Sequence, residues 1–203
     1  MIRNVIFDLG GVLIDWNPDY VYDQVFTDKE KKAWFYNEIC TMEWNENQDA
    51  GYSMAKATEE RVALFPQYEE WIRMYYGRWE EMLGDAIDDS VALLKTCVES
   101  PTLTTIALTN WSAETFPIAL KKFDFLHWFE GIVVSGEEKT RKPFADIYQL
   151  ALERYSLKAS ETVFIDDNKR NVKAAEELGI HGIHFQNPTQ LKRKLIKLGV
   201  ICN

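Results

Sequence analysis

Five short apolar runs, separated by segments long enough to form helices, constrain the fold of this chain more than any other feature. They lie near residues 4–8, 105–109, 131–135, 162–166 and 181–185. Each has the length and apolar content of a strand that is buried on both faces. Ser112 is a candidate helix N-cap after the second run, and Gly179 can end the helix before the fifth. Strands that alternate with helices predict an α/β fold built on a doubly wound parallel sheet.

One long stretch, from Trp16 to Gly84, interrupts this alternation because it has helical patterns and contains no clear strand. Within it, Thr27–Glu30 has the spacing of a capping box at the start of a helix. The alternation resumes after this stretch with an apolar stripe at helical spacing. We therefore predict a helical lobe at residues 16–84, inserted into an α/β core that consists of residues 1–15 and 85–203.

Composition and charge narrow the class of protein. A net charge of −9 argues against a nucleic-acid partner, because proteins that bind nucleic acids usually present a basic face. No apolar run approaches the roughly 20 residues needed to span a bilayer, so we expect no membrane partner. The amino terminus lacks the pattern of a secretion signal, which predicts a cytoplasmic location. Cys40, Cys97 and Cys202 are far apart and are predicted to be free thiols.

Asp8 is placed where a carboxylate is suited to chemistry. It directly follows the apolar residues of the first predicted strand and precedes Leu9, Gly10 and Gly11. The two glycines allow the backbone to turn sharply and a ligand to approach it closely. The segment therefore predicts a carboxylate at the carboxyl end of a buried strand, beside a turn that can cradle a ligand.

Two further strands end in polar residues. Thr109 and Asn110 follow the second apolar run, and Asp166 and Asp167 follow the fourth. The carboxyl ends of parallel strands form one crevice near the switch point of an open sheet, so we expect these side chains to converge on Asp8. Three carboxylates gathered there raise one another's pKa unless a cation intervenes. Hard oxygen ligands favour Mg²⁺ as that cation.

These motifs, in this order, resemble those of the haloacid dehalogenase superfamily. The first motif is Asp8–Leu13, the second Thr109-Asn110, the third Lys142-Pro143, and the acidic fourth Asp166-Asp167-Asn168. The resemblance covers nearly the whole chain. It implies a Rossmann-like core with a helical cap inserted after the first motif, as in the subgroup I members that carry a C1 cap.

The resemblance also implies a role for each matching residue. Asp8 is implied as the nucleophile, with Thr109 and Lys142 as its catalytic partners. Asn110 either contacts the phosphoryl group or only stabilises its turn. The implied phosphate-binding residues are Gly10, Gly11, Thr109, Asn110 and Lys142. The implied Mg²⁺ ligands are Asp8, the carbonyl of Gly10 and Asp166, with Asp167 acting nearby or through water.

Gly10 departs from the family pattern. Phosphatases of this superfamily usually carry at this position an aspartate that serves as general acid and base. Losing proton transfer typically costs about 10²- to 10⁴-fold in rate, so either another group substitutes or the leaving group needs little help. Candidate replacements on the lobe side are Asp15, Asp19, Glu46 and Asp49.

The second explanation favours a leaving group that departs easily, such as the anomeric hydroxyl of a sugar 1-phosphate. The first and fourth motifs, with Asn171, resemble bacterial α-D-glucose-1-phosphate phosphatases, which also carry glycine at position 10. We expect a phosphomonoester hydrolase for a small phosphorylated metabolite, and specifically a sugar phosphate. Residues expected either to line a sugar pocket or to pack a core are Trp16, Asn17, Trp44 and Asn45.

Three other functions remain open at this point. A metal-independent 2-haloacid dehalogenase would tolerate Gly10, although its relatives resemble this chain less at Asp166 and Asp167. A phosphotransferase such as a phosphoglucomutase would normally keep the aspartate that is missing at Gly10. A non-catalytic module would bind phosphate and metal without turnover. The sequence is equally compatible with a monomer and with a homodimer.

Overall fold

The computed structural model describes residues 1–202 and contains seven strands there, five of which lie close to the predicted apolar runs. They are β1 (Asn4–Phe7), β2 (Ile14–Trp16), β3 (Leu83–Ala86), β4 (Thr104–Thr109), β5 (Ile132–Val134), β6 (Thr162–Asp166) and β7 (His181–His184). Five of them form one sheet in the order β5, β4, β1, β6, β7, and each neighbouring pair is parallel. The predicted α/β fold is confirmed, with β1 in the centre of the sheet.

Helices fill the segments between the strands. The α-helices are α1 (Asp19–Tyr22), α2 (Lys29–Trp34), α3 (Met42–Asp49), α4 (Met54–Leu64), α5 (Glu69–Gly77), α6 (Trp79–Met82), α7 (Asp88–Val98), α8 (Phe116–Lys122), α9 (Ser135–Glu138), α10 (Ala145–Arg154), α11 (Lys169–Glu177) and α12 (Pro188–Lys197). A π-helical turn at Phe35–Ile39 follows α2, and short 3₁₀ turns lie at Pro66–Tyr68, Asp124–Trp128 and Ala159–Glu161.

Each face of the sheet buries its own hydrophobic cluster, because alternate residues of a strand point to opposite faces. Val5 and Phe7 of β1 belong to a cluster that includes buried residues of α7, α8 and α12. Ile6 belongs to a second cluster, with buried residues of α10 and α11. Helices therefore cover both faces of the sheet, as a doubly wound fold requires.

The helices between β2 and β3 have a third cluster of their own. It is rich in aromatic side chains and includes Tyr22, Phe35, Trp44 and Tyr75. Tyr22 is fully buried, and its ring centroid lies 5.0 Å from that of Phe35. This separate cluster gives the predicted lobe a core that does not depend on the sheet.

The expectation of no strand between residues 16 and 84 is wrong at both ends of that stretch. β2 includes Trp16, and β3 begins at Leu83, and the two pair as an antiparallel ribbon with an irregular register. Both strands are short and mix apolar with polar residues, so neither has the pattern of a buried strand. The predicted lobe boundaries fall within this ribbon, and the division into core and lobe stays a prediction.

Helix boundaries agree with most of the local signals. Asp28, inside the predicted capping box, accepts hydrogen bonds from the first turn of α2, and Gly179 lies just after α11 with φ of 82°. The predicted start at Ser112 is wrong, because α8 begins at Phe116. Pro117 explains the difference, since proline has no N–H to donate and is tolerated only in the first helical turn.

Other expectations concern the thiols and the membrane. Cys40 and Cys97 are buried and Cys202 is exposed, and all three are free, as predicted. Within residues 1–202, no helix combines the length and apolar character needed to cross a bilayer.

Candidate active site

Three of the predicted site residues converge at one edge of the sheet. Thr109 ends β4, Asp8 directly follows β1, and Asp166 ends β6. Because β4, β1 and β6 are adjacent and parallel, their carboxyl ends lie side by side. All three residues are buried, with exposed fractions of 1%, 7% and 0%. The predicted convergence is confirmed, while the roles of these residues stay predictions.

Lys142 is completely buried and holds the carboxylates together. Its Nζ lies 2.8 Å from Oδ1 of Asp8 and 2.8 Å from Oδ2 of Asp166, and it donates to the Leu108 carbonyl at 2.9 Å. Burial alone would lower the pKa of Lys142, but the Asp166 and Asp8 charges raise it above its usual value. The ammonium group therefore stays charged and compensates part of the negative charge of the site.

Asn110 holds the backbone of Lys142 in place. Its Nδ2 donates to the Lys142 carbonyl at 3.0 Å, and its Oδ1 accepts from the Lys142 N–H at 2.8 Å. This two-way amide contact positions the lysine loop against the end of β4. The sequence carried no signal for it, because the two residues are 32 positions apart.

One oxygen of Asp8 is fixed and the other is not. Oδ1 accepts a hydrogen bond from the Leu9 N–H at 2.7 Å and faces the Lys142 ammonium. Oδ2 accepts no hydrogen bond from the described residues. Burial raises the pKa of Asp8 well above its ordinary value, with Lys142 opposing and Asp166 adding to the effect. An ionised Asp8 therefore gains from any further cation at this site.

Several hydrogen bonds fix the orientation of the Asp166 carboxylate. It accepts from the Asn168 N–H at 2.7 Å and from Nδ2 of Asn171, which is 3.1 Å from each carboxylate oxygen. The Oδ1 atom of Asn171 is buried and has no partner among the described residues. In the sequence, Asn171 contributed only to the resemblance. The structure adds that it fixes the orientation of Asp166.

Asp167 completes a group of three carboxylates. One carboxylate oxygen each of Asp8, Asp166 and Asp167 lie within 4.8 Å of one another. Asp167 packs against Gly11, where an added Cβ would come within 2.4 Å of Oδ2 and where φ is +73°. This all-oxygen donor set, only partly neutralised by Lys142, fits a magnesium ion.

A cavity of about 330 Å³ opens above these carboxylates. Asp8, Gly10, Gly11, Asn110, Asp167 and Asn171 form its floor and sides. The predicted lobe contributes four side chains from α3, which are Met42, Asn45, Glu46 and Asp49. Three indole rings, of Trp16, Trp79 and Trp111, complete much of the apolar lining.

Only two of the four residues proposed for a sugar pocket line the cavity. Trp16 and Asn45 line it, whereas Asn17 and Trp44 do not. Trp44 instead packs against Tyr75 in the lobe, with ring centroids 5.3 Å apart. Thr109 also lies behind the cavity wall, at the end of β4, and its contact with phosphate stays a prediction.

Several contacts join α3 to the loop before α10 and to the first residues of α9 and α11. Glu46 lies 3.0 Å from Arg141 and 2.5 Å from Arg170, using a different carboxylate oxygen for each arginine. The Ser135 hydroxyl donates to the Asp49 carbonyl at 2.5 Å. These contacts hold the cavity-facing side of α3 over the carboxyl ends of the strands, and sequence reasoning did not find them.

Comparison with known proteins gives consistent matches. A family model of haloacid dehalogenase-like hydrolases matches residues 5–185. The sesquiterpene phosphatase astK of Aspergillus oryzae is 29% identical over 192 residues, which cover 90% of this chain and 89% of that protein. A phosphorylated carbohydrates phosphatase of Thermotoga maritima is 23% identical over 188 residues, which cover 89% of this chain and 83% of that protein.

A similar solved structure is that of a haloacid dehalogenase family enzyme of Bacteroides thetaiotaomicron, in complex with magnesium and inorganic phosphate. Its TM-score is 0.70 at 24% identity, and the match covers 92% of this chain and 96% of that one. At this level of identity, the likeness supports the fold alone.

Proposed function

We propose that this chain, which belongs to the haloacid dehalogenase-like hydrolases, is a magnesium-dependent phosphatase that acts on a sugar phosphate through an aspartyl-phosphate. The coarser statement, that it is a phosphatase-like hydrolase of this family, follows from the family match and the phosphatase relatives. The metal, the intermediate and the substrate class are the parts that we propose here.

The observation that carries the proposal is the arrangement of Asp8. One of its oxygens is fixed by the Leu9 N–H and the Lys142 ammonium, and the other accepts no hydrogen bond from the described residues. A carboxylate oriented in this way can attack phosphorus and form an acyl phosphate. The bond from phosphorus to the leaving oxygen breaks in that step. Water then attacks phosphorus, and inorganic phosphate and the Asp8 carboxylate are released.

The groups around Asp8 would stabilise the charge of the phosphoryl group. Lys142 supplies a fixed positive charge at the nucleophile. The Gly10 N–H would donate to a phosphoryl oxygen, since the Gly11 N–H is already bonded to the Ile14 carbonyl. The Thr109 hydroxyl, buried at the end of β4, is a further predicted donor. Asp8, Asp166 and Asp167 would hold magnesium, with the carbonyl of Gly10 as a further ligand. When bound, the ion would supply charge neutralisation between the carboxylates and the phosphate.

The chemistry of the cavity walls supports a sugar phosphate as the substrate. Three indole rings line the cavity, and a sugar ring can stack on such a ring. The Asn45 amide also lines it and can bond hydroxyl groups through its remaining donor and acceptor capacity. A volume of about 330 Å³ suits a small metabolite. The lobe at 16–84 would then serve as the helical C1 cap, since α3 supplies one wall of the cavity.

The test is phosphate release from sugar 1- and 6-phosphates and an acyl phosphate, measured with magnesium and with excess chelator. We expect magnesium-dependent release, with 1-phosphates hydrolysed faster than 6-phosphates if little help is given to the leaving group. No release from any substrate by the folded protein would contradict the proposal. Chloride release from 2-chloropropionate that survives the chelator would instead support the dehalogenase.

A further inference from the structure

A hydrolysed phosphate ester leaves as an alcohol, so its oxygen must receive a proton as the bond to phosphorus breaks. Side chains within reach of the bound ester are those that line the cavity above Asp8. The carboxylates among them are Asp8, Asp167, Glu46 and Asp49. Asp8 is the proposed nucleophile and Asp167 belongs to the metal-binding group. This leaves the two carboxylates of α3.

Glu46 has a structural role in joining α3 to the core. Its two oxygens pair with Arg141 and Arg170, at 3.0 and 2.5 Å, and these pairs join α3 to the core. The remaining lobe candidates lie outside the cavity. Asp15 accepts a hydrogen bond from the Tyr20 hydroxyl, and Asp19 pairs with Lys32 at 2.9 Å. Both oxygens of Glu46 and of Asp19 are therefore engaged, and Asp15 does not line the cavity.

Asp49 differs from Glu46 in its partners. Its Oδ2 accepts a long hydrogen bond, 3.2 Å, from Nδ2 of Asn45, and the Ser112 backbone N–H also faces the carboxyl group. No arginine or lysine among the described residues lies within ion-pair distance of it. Its backbone carbonyl accepts from the Ser135 hydroxyl, which fixes the end of α3 to the start of α9. The carboxyl group is thus anchored in position through the backbone while its side chain remains available.

Space and protonation state fit proton donation. Gly10 lines the same cavity, and a Cβ built there would meet no atom within 4 Å, so nothing fills that position. Burial and the neighbouring charge of Glu46 raise the pKa of Asp49 to about 7, with Arg141 and Lys142 opposing. A carboxyl group with this pKa can be an acid in one step and a base in the next near neutral pH.

We propose that Asp49 is the general acid and base of this site, an inference that rests on the proposed phosphatase function. Protonated Asp49 gives its proton to the leaving oxygen as Asp8 attacks phosphorus and the ester bond breaks. The resulting Asp49 carboxylate accepts a proton from the water that attacks the aspartyl-phosphate. Phosphate is released, Asp8 is regenerated, and Asp49 is again protonated.

The first test compares two leaving groups in Asp49→Asn. For a sugar 6-phosphate, whose alkoxide needs protonation, kcat/KM should fall by about 10²- to 10⁴-fold. For p-nitrophenyl phosphate, whose phenolate leaves without a proton, kcat/KM should fall far less. The ratio of the two values does not depend on the fraction of folded enzyme, so a folding defect cannot produce it. Asp19→Asn makes the same chemical change outside the cavity and should leave both values unchanged.

The second test follows pH. Groups that face Asp49 are Glu46 on α3, Arg141 and Lys142 on the loop before α10, and Tyr75 and Tyr76 on α5. Because the acid must be protonated, kcat/KM for the 6-phosphate should decline as pH rises through about 7. Asp49→Asn should lose this decline.

The possible outcomes distinguish a failure of the Asp49 assignment from a failure of the proposed phosphatase function. A wild-type protein that releases no phosphate from either substrate contradicts the phosphatase itself. If the wild type is active, an equal loss on both substrates in Asp49→Asn, or no loss at all, overturns the role of Asp49 and leaves the phosphatase standing. A 6-phosphate decline above neutral pH that persists in the variant would also overturn it.

Discussion

Replacing Lys142 by methionine should destabilise the protein strongly, because Lys142 is the only positive charge among residues 1–202 that contacts two buried carboxylates. Lys142 is fully buried and lies 2.8 Å from both Asp8 and Asp166. Removing one partner of a buried ion pair typically costs about 3–5 kcal/mol. Methionine has a similar length, so little of the loss would come from a cavity. In urea, this loss corresponds to a midpoint shift of about 1–2 M.

The dependence of this loss on pH gives a sharper test. Burial already raises the pKa of Asp8 above the ordinary value of 3.8, and losing the Lys142 charge would raise it further. Around pH 5 to 7 the folded variant then binds more protons than its unfolded chain, so its unfolding free energy increases as pH falls. The difference from wild type should be largest at neutral pH and shrink on acidification.

The assay is urea unfolding of both proteins without metal, followed by tryptophan fluorescence at pH 7 and pH 5. Lys95→Met is the matched control, because Lys95 is exposed and lies 3.8 Å from Glu99 on the same helix face. Such a pair contributes about 0–1 kcal/mol. A loss in Lys142→Met no larger than in this control, or one that grows on acidification, would refute the role assigned to the buried ammonium.

Three other outcomes follow from the geometry of the site. Asp8→Asn should retain its circular dichroism spectrum but lose phosphate release, on the order of 10⁶-fold for a missing nucleophile, and retained turnover would contradict the assignment. Asp167→Asn should raise the magnesium concentration needed for half-maximal activity, whereas an unchanged titration curve would exclude Asp167 from the metal site. Gly11→Ala should lower the unfolding free energy by about 1–2 kcal/mol, because alanine is strained at positive φ and its Cβ would collide with Asp167. Gly10→Ala, where a Cβ meets open space, should be nearly neutral in the same unfolding experiment.

The sheet could be predicted from the sequence because its strands are buried on both faces. Every residue of β1 is buried, and Val5, Ile6 and Phe7 form a continuous apolar run that local pattern alone can identify. β2 and β3 could not be found in this way. They form a two-stranded ribbon in which Asp15 and Asp85 are not buried, and their strand conformation comes from pairing with each other.

The positions of the proposed catalytic carboxylates were predictable for the same reason as the strands. Asp8 and Asp166 follow apolar runs directly, and the parallel order of the sheet brings strand ends together. The contacts that orient them were not predictable. Asn171 holds Asp166 and Asn110 holds the backbone of Lys142 through hydrogen bonds between side chains and loops, and such bonds leave no periodic trace in a sequence.

The proposed proton donor, Asp49, shows most clearly what the sequence could not reveal. Glu46 and Asp49 are three residues apart on α3 and therefore lie on one helix face. The sequence alone gives no reason to prefer either one as the proton donor. The two residues differ in the groups that face them in the folded protein. Arg141 and Arg170, the latter 124 positions away in the sequence, both pair with Glu46. The Asp49 carboxylate instead accepts from the Asn45 amide, and its backbone carbonyl accepts from the Ser135 hydroxyl. Both oxygens of Glu46 are engaged in ion pairs that join α3 to the core, whereas Asp49 is buried without an ion pair, which raises its pKa and leaves it able to exchange a proton near neutral pH.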